Sequence, residues 1–123
     1  MTLVDSSVWI DHLRVRNEIL STLIRRKEVL THPFVIGEIA LGSLRSRLDV
    51  LAALDEMPRA PIADDQDVLH MIDHDRLFGS GIGYVDAHLI ASTRLRRGAR
   101  LWTRDRRLFA VANELGLGAH FAR

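Results

Sequence analysis

The sequence contains no cysteine. That excludes a disulfide frame and any thiolate metal site, and it fits a reducing compartment. Lysine is nearly as scarce: of 17 basic side chains only Lys27 is not an arginine. No apolar run approaches the ~18 residues that a membrane span needs. The opening residues carry no charged segment followed by an apolar one, so no secretory signal is expected there. Neither an internal repeat, a low-complexity tract nor a domain linker interrupts the chain. The expectation is one soluble, cytoplasmic domain over residues 1–123, with 47% hydrophobic content to build its core. A net charge of +1 argues for no partner by itself. The distribution says more, because Arg94, Arg96, Arg97, Arg100, Arg104, Arg106 and Arg107 crowd into one short stretch. That density suits a polyanion, or else a solvated helix face and loop.

What is present alternates between short apolar runs and longer amphipathic segments. Residues 2–5 read as a strand and 6–14 as a helix. In 17–27, Ile19, Leu20, Leu23 and Ile24 make an apolar helix face. Residues 29–31 read as a second strand, closed by His32-Pro33. Helices are then expected at 34–44, at 48–57 and from a cap at Asp64 or Asp65 to about Phe78, with a linker or brief strand at 59–63. The glycine-rich loop 79–83 precedes a helix at 84–97 that is apolar nearly all round and therefore central. A strand at 99–103, a helix at 105–115 and a last short strand at 118–121 complete the chain. Strands alternating with helices through short connections imply a parallel sheet covered on both faces.

Four acids stand out against this frame. Asp5 ends the first strand, where ligands bind in open α/β sheets, although an Asp there also serves as an N-cap. Glu38 interrupts an apolar octet, Phe34 to Leu41, and either points outward or enters a site that holds a cation. Asp86 falls in the first turn of the central helix, where it also suits the helix dipole. Asp105 repeats the arrangement of Asp5. Caps explain each acid alone but not their coincidence at one edge of one sheet. Converging carboxylates repel unless a cation joins them, and all-oxygen ligands select Mg²⁺ or Mn²⁺. The expected chemistry is phosphodiester hydrolysis, with the arginines around Asp105 holding the flanking backbone. His88 follows Asp86 by two residues, on a different face, and reads more readily as a structural group than as a ligand.

At these residues the chain resembles the PIN-domain ribonucleases, specifically the VapC-type toxins of bacterial toxin–antitoxin pairs. The carriers are Leu3-Val4-Asp5-Ser6-Ser7-Val8-Trp9-Ile10-Asp11, Glu38 in its apolar helix, Tyr84-Val85-Asp86-Ala87 with Ile90-Ala91, and Thr103-Arg104-Asp105-Arg106-Arg107-Leu108. The resemblance spans the whole length. It implies a three-layer α/β/α fold with a mostly parallel sheet and Mg²⁺- or Mn²⁺-dependent endoribonuclease activity. It also implies a homodimer and inhibition by a cognate antitoxin. Asp5, Glu38, Asp86 and Asp105 would be catalytic and would hold the metal. Ser6, Ser7 and Thr103 would support them, and Arg104, Arg106 and Arg107 would bind RNA. The exposed part of 6–27, carrying Trp9, Leu13, Leu20 and Leu23, is a candidate groove for an amphipathic partner segment, with core packing as the other reading. Two rival readings share this fold class. A phosphoacceptor receiver domain also gathers acids at strand ends but needs a lysine beside them, and Lys27 lies far off in sequence. A non-catalytic RNA-binding or scaffold domain would not need the complete acid set. RNA is preferred to DNA on the resemblance alone.

Overall fold

β1 (Thr2–Val4) is the centre of the sheet. In the computed structural model, which describes residues 1–121, it pairs in parallel with β2 (Val29–Leu30) on one side and β3 (Arg100–Trp102) on the other. Parallel bridges from Thr31 to Arg59 and from Leu101 to Gly118 widen the sheet at both edges. A strand covered on both faces reads as an unbroken apolar run, and Thr2, Leu3 and Val4 are all buried. Among the described residues seven helices flank the sheet: α1 (Ser6–Arg14), α2 (Glu18–Arg25), α3 (Pro33–Ala40), α4 (Arg47–Glu56), α5 (Asp65–His74), α6 (Tyr84–Leu95) and α7 (Arg106–Glu114). The result is the three-layer α/β/α fold. No described helix is long and apolar enough to cross a membrane.

Several helices end earlier than their apolar pattern. α2 stops at Arg25 because Lys27 turns left-handed (φ 57°), and α5 stops at His74, short of Phe78, because Arg76 does the same (φ 56°). Non-glycine residues rarely take that conformation, so hydrophobic spacing gives no warning of it. α3 ends at Ala40 rather than Leu44, and the strand expected at 118–121 contributes only the Gly118 bridge. The candidate partner groove also needs correction. Trp9, Leu20 and Leu23 are buried in the core, and only Leu13, with Ile10 beside it, reaches the surface.

α6 is the central helix, with an unbroken buried run from Ala87 to Thr93. Its polar members are largely satisfied inside. Thr93 Oγ1 donates to the Leu89 carbonyl (2.7 Å), and Ser92 Oγ lies 3.1 Å from His32 Nε2. His32 caps α3, its Nδ1 accepting from the Phe34 N–H (3.0 Å). With Nδ1 as acceptor the ring is neutral and Nε2–H donates to Ser92. Burial first, then the His88 and Arg59 charges, lower its pKa to about 4. A histidine whose folded pKa is depressed costs stability as pH falls from its ordinary 6.5 toward that value, since the unfolded chain takes up the proton first. His32→Asn keeps an acceptor for the Phe34 N–H and removes the titration. Urea midpoints measured across this window should fall less steeply with acid in the variant, and equal slopes would contradict the assignment.

Candidate active site at the carboxyl edge of the sheet

β1 and β3 end side by side. Val4 is in register with Trp102, and the Asp5 N–H donates to the Trp102 carbonyl (2.9 Å). The chain leaves both strands at one edge, which brings the segments 5–7 and 103–105 together. Asp5 caps α1, its Oδ1 accepting from the Ser6 N–H (2.8 Å). Its Oδ2 accepts from Ser7 Oγ and Thr103 Oγ1, both at 2.8 Å. Each hydroxyl also accepts from the next segment: Ser7 Oγ from the Arg104 N–H and Thr103 Oγ1 from the Asp105 N–H, both at 3.0 Å. Asp5 is 5% exposed, and this donor set satisfies its buried carboxyl oxygens. Asp105 in turn caps α7, accepting from the Leu108 N–H (2.9 Å).

The other two acids arrive from different helices. Glu38, in the last half of α3, accepts a hydrogen bond from Ser6 Oγ (3.2 Å) although the residue is exposed. Asp86, in the first turn of α6, accepts from the Gly83 N–H (3.1 Å). Both pKa values are raised. For Asp86 desolvation leads, the Gly83 hydrogen bond opposes it, and the charges of Asp5 and Asp105 add to it. For Glu38 desolvation again leads, against the Ser6 hydrogen bond and with the charges of Asp5 and Asp86. Glu38 therefore senses Asp5 and Asp86, and Asp86 senses Asp5 and Asp105. Asp5 and Asp105 each cap a helix, and Asp86 accepts from the loop residue before its own helix.

Glu38 Oε2, Asp86 Oδ1 and Asp105 Oδ2 accept nothing from the described residues, so each has an oxygen to offer a cation. Among the described residues no three His, Asp or Glu side chains close into a ready chelate. An open carboxylate pocket fits Mg²⁺, which keeps several waters and is held through few carboxylates plus substrate phosphates. The donor chemistry, all oxygen, fits a hard ion equally well.

Arg104, Arg106 and Arg107 surround this edge, all exposed. Arg104 is partly engaged, its Nε 2.9 Å from Asp11 Oδ2, a pairing the sequence did not signal. Arg107 lies over the loop before α6, where a Cβ on Gly81 would meet its Cδ at 2.8 Å. With φ of 88° as well, Gly81 is the residue that lets the loop and α7 approach across the pocket. The remaining arginines of the cluster are less available: Arg94 pairs with Asp75 at 2.8 Å and Arg100 donates to the Gly116 carbonyl. Lys27 precedes β2, at the opposite edge of the sheet, in a hollow with Val29, Glu56 and Pro58. It cannot serve the acids, which removes the receiver reading.

His88 is buried, as expected of a structural group, but it is not a satisfied one. Its Nε2 is 3.2 Å from Asp65 Oδ1, off the direction of a hydrogen bond, and neither ring nitrogen has a partner among the described residues. Its ring lies between Phe34 (5.0 Å between centroids) and Tyr84 (4.7 Å). The spacing of Tyr84 and His88, one helical turn apart, was the only trace of this cluster in the sequence.

Residues 2–114 match the family described as the PIN domain. Ribonuclease VapC32 of Mycobacterium tuberculosis, from strain CDC 1551 / Oshkosh and from strain ATCC 25618 / H37Rv, is 46% identical to this chain over 117 residues. The alignment covers 95% of this chain and 94% of each relative. Among solved structures, the crystal structure of PAE2754 from Pyrobaculum aerophilum superposes with a TM-score of 0.64 at 17% identity, over 89% of this chain and 83% of that one. At that identity the likeness shows the fold alone. With a family match over nearly all its length and close relatives spanning it end to end, the chain belongs to the PIN-domain family, among its VapC-type members.

Proposed function

We propose that this chain is a metal-dependent endoribonuclease, the toxin of a toxin–antitoxin pair, built as one nuclease domain over residues 1–123. What supports the reading is that Glu38 and Asp86, from two different helices, both feel the charge of Asp5 at the end of β1, and that Asp86 also feels Asp105 after β3. The 46% identity to proteins named ribonucleases supports RNA as the substrate. A cytoplasmic homodimer held in check by a cognate antitoxin belongs to the same proposal, on the VapC-type relationship.

In this reading Asp5, Glu38, Asp86 and Asp105 would hold Mg²⁺ or Mn²⁺, which would supply a water of lowered pKa and charge compensation at the phosphate. The chain's own part is positioning. Ser7, Thr103 and the Ser6 N–H fix the Asp5 carboxylate in one orientation. Ser6 turns Glu38 toward it. Arg106 and Arg107, with Arg104 once it leaves Asp11, supply cations for the phosphates on either side of the scissile bond.

Three measurements test this. Purified protein incubated with total RNA should cut it in Mg²⁺ and stop in EDTA. Thr103→Val should cut ~10–100-fold more slowly, the usual effect of losing a group that orients a ligand. Asp5→Asn, Glu38→Gln, Asp86→Asn and Asp105→Asn should each lose more than that while keeping the fold. Wild-type turnover in Asp5→Asn would end the proposal.

The raised Asp86 pKa makes a stability prediction with the opposite sign to that of His32. A carboxyl whose folded pKa is raised favours the folded state when protonated, and that contribution is lost as pH rises through the raised value. Asp86→Asn stays neutral and keeps an acceptor for Gly83. In EDTA near neutral pH it should melt at or above wild type, and the gap should close on acidification toward 3.8. Added Mg²⁺ should raise the Tm of wild type more than that of the variant. No response of wild type to Mg²⁺ or Mn²⁺ would count against metal binding here.

Replacing Arg104, Arg106 and Arg107 together by glutamine should weaken RNA binding. It should also flatten the slope of log affinity against log salt by about 0.7 for each phosphate no longer neutralised. An unchanged slope would move the RNA path elsewhere.

A further inference from the structure

A cavity of about 150 Å³ is lined by Thr103 and Arg104, the two residues that follow β3. Thr103 is common to this cavity and to the acid cluster: its Oγ1 donates to Asp5 Oδ2 at 2.8 Å and accepts from the Asp105 N–H at 3.0 Å. The other walls come from Asn17 before α2, Phe109 on α7, and His120 and Phe121 beyond the Gly118 bridge. Phe109 stands one turn after Asp105, and its N–H donates to the Asp105 carbonyl at 2.9 Å. The helix start that Asp105 caps therefore also carries a wall of the cavity.

The walls are fixed by their neighbours. Phe109 meets His120 edge to face, with 5.3 Å between ring centroids. Trp102, buried and also lining the cavity, lies 4.6 Å from the Phe121 ring. Asn17 is held twice: its N–H donates to His12 Nδ1 (2.9 Å), and its Oδ1 accepts from the Leu20 N–H (3.0 Å) to cap α2. That leaves the Asn17 amide nitrogen without a partner among the described residues. Aromatic rings and an uncommitted donor thus line one small cavity, beside a hydroxyl that orients the Asp5 carboxylate.

We propose that this cavity is a subsite for one pyrimidine base near the scissile phosphate, and that Phe109 and Asn17 set a base preference for the cut. The inference rests on the nuclease reading of the acid cluster. A cavity of this size admits one six-membered ring, as an engineered apolar cavity of similar volume admits benzene. A pyrimidine is one such ring, and a purine adds a second. Every base has a flat face to lay on an aromatic side chain. The O2 oxygen of cytosine and uracil accepts a hydrogen bond, which the Asn17 amide can donate. Choice of the cut then comes from the subsite and cleavage from the acids.

The test uses the full chain in EDTA, where binding is read without cleavage. The probes are labelled oligocytidylate, oligouridylate and oligoadenylate of one length. Wild type should hold the pyrimidine strands about 10-fold more tightly than oligoadenylate, within the range of one base stack. Phe109→Leu keeps apolar bulk without a flat ring and should remove that preference, whereas Phe109→Tyr should keep it. Asn17→Ser still caps α2 but lacks the amide, and should also bring the three strands together. In Mg²⁺, ends mapped on total RNA should carry a pyrimidine at one fixed offset from the break in wild type and in Phe109→Tyr. Phe109→Leu should lose that bias. Equal binding of all three strands by wild type would overturn the subsite. So would a uniform loss of affinity in Phe109→Leu with the ratio between strands unchanged, since the ring would then be structural. If wild type cuts no RNA in Mg²⁺ or Mn²⁺, the nuclease reading fails, and the ratios in EDTA still judge the subsite.

Discussion

A carboxylate buried at the end of a central strand is tolerable only if donors surround it, and the arrangement around Asp5 follows from that requirement. Two hydroxyls, Ser7 and Thr103, aim at one of its oxygens and a backbone N–H at the other. The same hydroxyls accept from the N–H groups of Arg104 and Asp105. One acid thereby ties the start of α1 to the approach of α7. The register of β1 with β3 keeps those two segments within reach, since Val4 and Trp102 end their strands together. A slip of one residue would aim Thr103 away from the carboxylate.

The remaining charges are arranged to be tolerable rather than comfortable. Asp86 and Glu38 both resist ionisation, first through desolvation and then through two anionic neighbours each, against one hydrogen bond that favours the charged form. Such a cluster has little structural advantage: a fold seeking only stability would place neutral caps there. In the proposed function a cation completes it, and the arginines after β3 supply positive charge for a polyanionic ligand. Opposite signs are thereby kept apart by a few residues along the chain. Arg104 and Asp11 are the exception, closing on each other at the border.

Legibility from sequence varied with the physics behind each feature. α1 was readable to the residue because an apolar run followed by Asp5 and two serines is both a strand end and a helix cap. α6 was recognisable as central because its apolar residues leave no polar face. The ends of α2 and α5 were misread because Lys27 and Arg76 adopt a conformation their side chains do not advertise. Trp9, Leu20 and Leu23 looked available for a partner because an amphipathic stripe is the same stripe whether it meets another helix or another protein. The aromatic cluster was nearly invisible, since Phe34 and His88 are far apart in sequence and only packing joins them.

Composition and local pattern alone determined that this is an α/β chain with acids at strand and helix ends, because strand period, caps and breakers are local chemistry. They also excluded thiolate ligands, since a missing residue type cannot be supplied by folding. Only the tertiary structure decided which oxygens of those acids are held and which remain open, that Lys27 sits at the wrong edge, and that Phe34 and Tyr84 both pack against His88. Those are relations between segments remote in sequence. They are set by register and packing, which short-range spacing does not encode.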